Sequence, residues 1–272
     1  MQVFLNNKFY PKEKAKVSIF DHGFLYGDGI FETLRTYNRK VFKVEEHVWR
    51  LFHSAKLINL QIPLSKAEIK NAIILAVKKN NAKDAYVRIT ISRGVGDIGY
   101  TAKCEPNVVI IVKELKPYPK EIFEKGVSII TYEAERFLPK VKSTNCLPLV
   151  LAKNKAERKK CFEAILADNS EFITEGTVSN VCFVKKNILY ANSGNMLEGI
   201  TRQVVMGLAK KFIEVIETKI KKSEIYDFDE CFLTSTISEI VPVVKIDEVK
   251  IGNGLPGKIT RKLMGEFKKL AK

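Results

Sequence analysis

Apolar and polar positions alternate with a period of two in several stretches of this chain and with a helical period in others. The first kind predicts strands at 3–5, 16–20, 30–37, 41–44, 84–92 and 108–112. In 30–37 the alternation sets Ile30, Glu32 and Leu34 on one face and Phe31, Thr33 and Arg35 on the other. In 84–92 it sets Tyr86, Arg88, Thr90 and Ser92 against Val87, Ile89 and Ile91. Val48, Leu51, Phe52, Ala55 and Ile58 recur at helical spacing, so a helix opening at Glu45 and Glu46 buries that face. Ser65 and Glu68 form a capping box for a second helix, which ends near Asn80 and Asn81. A glycine-rich loop, RGVGDIGY, occupies 93–100, and Tyr26-Gly27-Asp28-Gly29 reads as a turn.

The two prolines of Lys116-Pro117-Tyr118-Pro119-Lys120 favour an extended connection. Beyond it the pattern predicts strands at 127–132, 164–167, 181–184, 188–190, 230–233 and 240–246. Helices are expected at 147–160, 201–212 and 223–226, with a last one starting near Pro256. The expected fold class is therefore α/β (α+β), with a small N-terminal domain at 1–117, a linker at 118–121 and a larger mixed β domain with flanking helices at 122–272.

Composition narrows the function classes. A chain of 272 residues, 46% hydrophobic, can bury one large core or two smaller ones. The start, MQVFLNNKFYPKEK, carries no signal-peptide pattern, and no apolar run reaches the ~18 residues of a membrane span. Five scattered cysteines (Cys104, Cys146, Cys161, Cys182, Cys231) suit reduced thiols in a cytoplasm, and three histidines, all before residue 54, argue against a metal site. The net charge of +15 lies on amphipathic segments such as KAERKK and GEFKKLAK, without interleaved aromatics, so it reads as a solvated surface and no nucleic-acid partner is expected.

The chemistry gathers around Lys142 in PKVKSTNCLPLV, at the end of a strand-like run and followed by the hydroxyls of Ser143 and Thr144. Downstream, Glu175 precedes a glycine turn in FITEGTVSN. Gly199-Ile200-Thr201-Arg202 opens a helix, and Ser235-Thr236 marks a turn. Taken singly, each has an ordinary role: a solvated lysine, a hairpin acid, Thr201 as an N-cap, Arg50 on a helix surface. Together they supply what pyridoxal 5′-phosphate (PLP) requires, namely an amine, an anion for the ring nitrogen and an anion cup for the phosphate.

The chain resembles the fold-type IV PLP-dependent aminotransferases from about residue 2 to 270, through FDHGFLYGDGIFETLR, HVWRL, AYVRITISRGVGDIG, VKSTN, TEGTVSN, LEGITR, FLTSTISEIVPV and IGNGLPGKIT, in that family's order. The resemblance implies a homodimer of two-domain subunits with PLP between the domains and a ping-pong transamination. It makes Lys142 the Schiff-base lysine and Glu175 the ring-nitrogen partner. Arg50, Ser179, Asn180, Ile200, Thr201, Ser235 and Thr236 complete the cofactor site. Tyr26, Phe31, Tyr86, Arg88, Ile237 and Ser238 would contact substrate, and the loop around Val95 and Ile98 would complete the partner's pocket.

On substrate the resemblance points first to branched-chain L-amino acids with 2-oxoglutarate, because Tyr26, Phe31, Tyr86 and Arg88 match that pocket pattern. Three departures lean toward D-amino acid aminotransferases: Thr33 in place of Gly, Val178-Ser179-Asn180 in place of Gly-Asp-Asn, and Thr236-Ile237-Ser238-Glu239 in place of Thr-Ala-Ala-Glu. Yet Phe31 stands where that group has Tyr, and Gly96-Asp97-Ile98 offers no Arg-x-His. Aminodeoxychorismate lyase, which shares the loop pattern at 91–100, ranks third.

Overall fold

The computed structural model describes residues 1–100 and 103–271, and the chain divides into two compact units. The first comprises Met1–Lys116 with Val141–Asn145; the second comprises Pro117–Lys140 with Cys146–Lys272. The Lys142 segment thus belongs with the first unit, whereas the sequence reading kept it with the second.

In the first unit β1 (Gln2–Leu5), β2 (Lys8–Pro11), α1 (His22–Tyr26), β3 (Gly29–Tyr37), β4 (Lys40–Val41), α2 (Val44–Leu57), α3 (Lys66–Asn80), β5 (Ala85–Val95) and β6 (Glu105–Glu114) follow in order. The strands form an antiparallel sheet in the order β2-β1-β6-β5-β3-β4. Ile30, Leu34, Val87, Ile89, Ile91 and Ile110 pack with the apolar stripes of α2 and α3 in one buried cluster. The facing predicted for 30–37 and 84–92 holds. The capping box is present, with the Glu68 N–H donating to Ser65 Oγ and the Ser65 N–H to the Glu68 carboxylate.

Three local expectations differ. The strand placed at 41–44 is only the short β4 at 40–41, and Val44 already opens α2. Residues 16–20 form no strand; the segment instead leads into α1, whose N-cap Asp21 accepts from the Gly23 N–H. β5 runs on through Val95 across a register shift, because Gly94 has φ +93° and so closely approaches Glu105 that no side chain fits.

The second unit runs α4 (Glu121–Glu124), β7 (Val127–Glu133), α5 (Leu147–Arg158), β8 (Glu163–Ala167), β9 (Phe172–Gly176), β10 (Asn180–Lys185), β11 (Ile188–Asn192), α6 (Ile200–Ala209), β12 (Glu214–Thr218), β13 (Ile220–Lys221), β14 (Glu230–Ser235), β15 (Glu239–Ile246), β16 (Val249–Lys250) and α7 (Lys258–Ala271). The strands make one mixed sheet in the order β12-β11-β10-β14-β15-β7-β8-β9-β13, with β16 beside β15. Every residue of β8 is buried, with Ala164 and Leu166 packed toward α5 and Ile165 and Ala167 toward the opposite core. Strand β12, missed by the pattern, pairs in parallel with β11. No helix among the described residues is long and apolar enough to cross a membrane.

Candidate active site

Within the first unit, residues 141–145 lie along the open start of β3. Lys142 is not at the end of a strand, as expected, but in an irregular segment held by main-chain bonds. The Phe31 N–H donates to the Lys142 carbonyl at 2.9 Å, and the Thr144 N–H to Gly29 at 2.9 Å. The Lys142 N–H donates to Ser54 Oγ at 3.3 Å, and Thr144 Oγ1 to the Gly27 carbonyl at 2.6 Å. The backbone is thereby fixed on both sides of a half-buried lysine, whose Nζ lies 4.8 Å from the centre of the Phe31 ring. Arg88 Cζ approaches the same ring at 3.8 Å, while its Nε donates to Thr90 Oγ1 at 3.2 Å. Lys142, Phe31 and Arg88 are therefore brought together, with Tyr86 two residues along β5.

Glu32 faces the helices with Ile30 and Leu34, and a carboxylate there needs partners. It finds them on α2: Arg50 Nε donates to Oε1 at 2.6 Å and Nη2 to Oε2 at 2.8 Å, and His47 Nδ1 lies 2.7 Å from Oε2. Burial alone would raise the Glu32 carboxyl, but the Arg50 charge and the hydrogen bonds outweigh it and hold the group far below the usual carboxylate range. Burial also lowers His47, so its ring is neutral and donates Nδ1–H to Glu32. Arg50, expected as a phosphate ligand, is thus buried and oriented by a two-point fork. Sequence reasoning missed Glu32 and His47 as its supports. The available signals were an acid on a core face and the His-x-x-Arg spacing of 47 and 50.

The glycine-rich loop is tied down at its root. Arg93 clamps Asp28 at 2.8 and 3.1 Å and donates to the carbonyls of Ile58 and Asn59. The Tyr26 hydroxyl accepts from the Gly99 N–H at 2.8 Å, so Tyr26 supports the loop. Val95 and Ile98 present exposed side chains.

In the second unit Glu175 lies near the end of β9, 3% exposed. Its Oε1 is 2.8 Å from Arg136 Nε and accepts from the Leu197 N–H at 3.2 Å. Arg136, also unforeseen, sets a guanidinium charge beside the Glu175 carboxylate. The Asn180 amide donates to the Leu197 carbonyl at 2.8 Å, which ties the far side of the turn to the same loop. Ser179 and Asn180 are both buried.

The N-cap of α6 is Gly199, not Thr201, and it brings no side-chain cap. A Cβ at 199 would lie 1.9 Å from Asn180 Oδ1, so only glycine fits. The first N–H groups of α6, at Ile200 and Thr201, must therefore be satisfied from outside the helix, the arrangement that attracts an anion. Ser235 Oγ bonds Ser238 Oγ at 2.7 Å and accepts the Ser238 N–H at 3.1 Å, which shapes the turn carrying Thr236 and Ile237. The buried Thr234 hydroxyl beside this turn has no hydrogen-bond partner among the described residues. No group of His, Cys, Asp and Glu that could hold a metal occurs among the described residues. The amine of Lys142 in the first unit, and the Glu175 carboxylate and the uncapped, glycine-opened start of α6 in the second, are each of a chemical type that PLP requires.

The family model described as amino-transferase class IV matches residues 29–246. A Methanocaldococcus jannaschii protein with attributed branched-chain-amino-acid aminotransferase activity is 42% identical over 98% of this chain and 96% of its own length. D-alanine aminotransferase of Listeria monocytogenes is 37% identical over 98% and 95%. The crystal structure of a T.th. branched-chain amino acid aminotransferase with pyridoxamine 5′-phosphate superposes with a TM-score of 0.95 at 31% identity, covering 99% of this chain and 93% of that one. With matches along nearly its whole length, this chain belongs to the class IV aminotransferases and is a PLP-dependent enzyme.

Proposed function

We propose that the chain exchanges amino groups between branched-chain L-amino acids and 2-oxoglutarate, acting as a homodimer. The observation that carries the substrate reading is Phe31, an apolar ring 4.8 Å from the Lys142 amine, which offers a hydrocarbon side chain a surface to bury against. The M. jannaschii relative and the T.th. structure support it. The homodimer reading draws on the family resemblance and on exposed Ile19, Phe20, Phe24 and Leu25, a cluster that water would not favour.

PLP supplies an electron sink for the charge that develops at the substrate Cα. The chain's residues do the rest. Lys142 Nζ would hold the cofactor through its aldehyde carbon and, as a free amine, would take the substrate Cα proton and give it up again on the product side. Glu175 would accept a hydrogen bond from the ring nitrogen and so favour its protonated form. The α6 N-terminus and the 235–238 turn would receive the phosphate, with Ser179 and Asn180 shaping the neighbouring turn and Arg50, its fork engaged by Glu32, adding a fixed positive charge. Arg88, with Tyr86, receives the distal carboxylate of the oxo acid, and the main chain at Thr236 and Ile237, followed by Ser238, receives the α-carboxylate.

A second reading, D-amino acid transamination, is favoured by Thr33, by Val178-Ser179-Asn180 and by the L. monocytogenes relative. A half-reaction screen separates the two. L-leucine, L-valine and L-isoleucine are expected to bleach the yellow band of the PLP-loaded protein. Bleaching by D-alanine or D-glutamate alone would overturn the L-amino acid assignment.

A further inference from the structure

Glu163 opens β8 at 2% exposure, an acid at the head of an otherwise apolar buried strand. Its Oε1 accepts three hydrogen bonds from one short turn: from the Val178 N–H at 2.8 Å, Ser179 Oγ at 3.0 Å and Thr177 Oγ1 at 3.2 Å. The turn also closes on itself, with the Gly176 N–H donating to the Ser179 carbonyl at 2.7 Å, and is anchored by the Thr177 N–H donating to Ala164 at 3.1 Å. A Cβ on Gly176 would meet Ser179 Oγ at 2.3 Å and Glu163 Oε1 at 2.4 Å, so the carboxylate fills the space where a side chain would stand. Glu175 immediately precedes this turn and Asn180 immediately follows it. Asn180 then bonds the carbonyl of Leu197, whose N–H returns to Glu175.

We propose that Glu163 is a positioning residue for the transamination, holding the Glu175 carboxylate in place through the 176–179 turn. The inference rests on the reading of Glu175 as the ring-nitrogen partner. An isolated buried acid is costly, and burial pushes the Glu163 carboxyl up against the opposing pull of its hydrogen bonds. An oxygen that accepts three donors needs its lone pairs but not a full charge. Glutamine should therefore serve in its place, and leucine, which fills the same space without an acceptor, should not.

The test compares the full-length wild type with E163L, E163Q and T177V. Its readouts are PLP dissociation constants, the pH titration of the bound cofactor's visible band, and the melting temperature of each apoprotein. E163L is expected to bind PLP about tenfold or more weakly and to shift the band's titration, with three donors left unmet, two of them buried hydroxyls. E163Q is expected to restore both readouts to within about threefold of wild type. Wild-type affinity and titration in folded E163L overturn the proposal, as does a loss in E163Q equal to that in E163L. Should E163L fail to fold, T177V carries the test, because it keeps the carboxylate and removes one donor: about threefold weaker PLP binding supports the role, and unchanged binding overturns it. A wild-type chain that takes up no PLP sinks the functional reading and this inference together; unchanged variants of a PLP-binding wild type sink the inference alone.

Discussion

Lys142→Ala is expected to lower the transamination rate by about 10³-fold or more, since general-base catalysis alone is worth about 10²–10⁴-fold. In the proposed role, the substitution removes the amine that would hold the cofactor and carry the Cα proton. The bonds that fix the segment run through the main chain, from Phe31 to the Lys142 carbonyl, from Thr144 to Gly29 and from the Lys142 N–H to Ser54, and alanine keeps all three. The melting temperature of the apoprotein should accordingly stay close to wild type while initial rates collapse. A K142A protein with more than about a tenth of wild-type activity would contradict the assigned role.

Glu32→Ala should show the reverse pattern, a stability defect first. It strands the Arg50 guanidinium and the His47 ring inside the first unit, and breaking one partner of a buried pair costs about 3–5 kcal/mol. Denaturant unfolding measures this, and a loss below about 1 kcal/mol would show that water reaches the pair after all. The cluster also predicts acid sensitivity. His47 and Glu32 both have lowered values in the folded chain, so the unfolded chain binds more protons as the pH falls, and stability must fall with it. The His47 contribution is lost as pH drops below the ordinary histidine value of about 6.5, and that of Glu32 below the ordinary glutamate value of about 4.3. Melting temperatures across this range should decline in two stages, and E32A should lack the second.

The elements easiest to read from sequence were those with strong periods and one buried face. Strands β3 and β5 and the helix α2 declared both their type and their buried side, because alternation and the helical stripe answer to a single core. Residues 16–20 alternate too, but no sheet edge receives them, so that pattern misleads. Strand β12 was missed since its ladder comes entirely from β11, and no local signal records a distant partner.

The site divides in the same way. Lys142, Glu175 and the opening of α6 stand beside motifs and could be named from the chain. The supporting groups could not, because Arg136 beside Glu175, Glu163 beneath the 176–179 turn and His47 beside Glu32 meet their partners only after folding. Glu32 was the exception waiting to be used: its alternation already put a charge among isoleucines and leucines, and such a charge must have a cation nearby.

One measurement goes straight to the lysine. The PLP-loaded protein is reduced with borohydride, which makes the lysine–cofactor bond permanent, then digested and sequenced by mass spectrometry. The account predicts a single phosphopyridoxyl group, on Lys142, among all the lysines of the chain. A label on any other lysine, or none in a protein that has turned yellow with PLP, would contradict it.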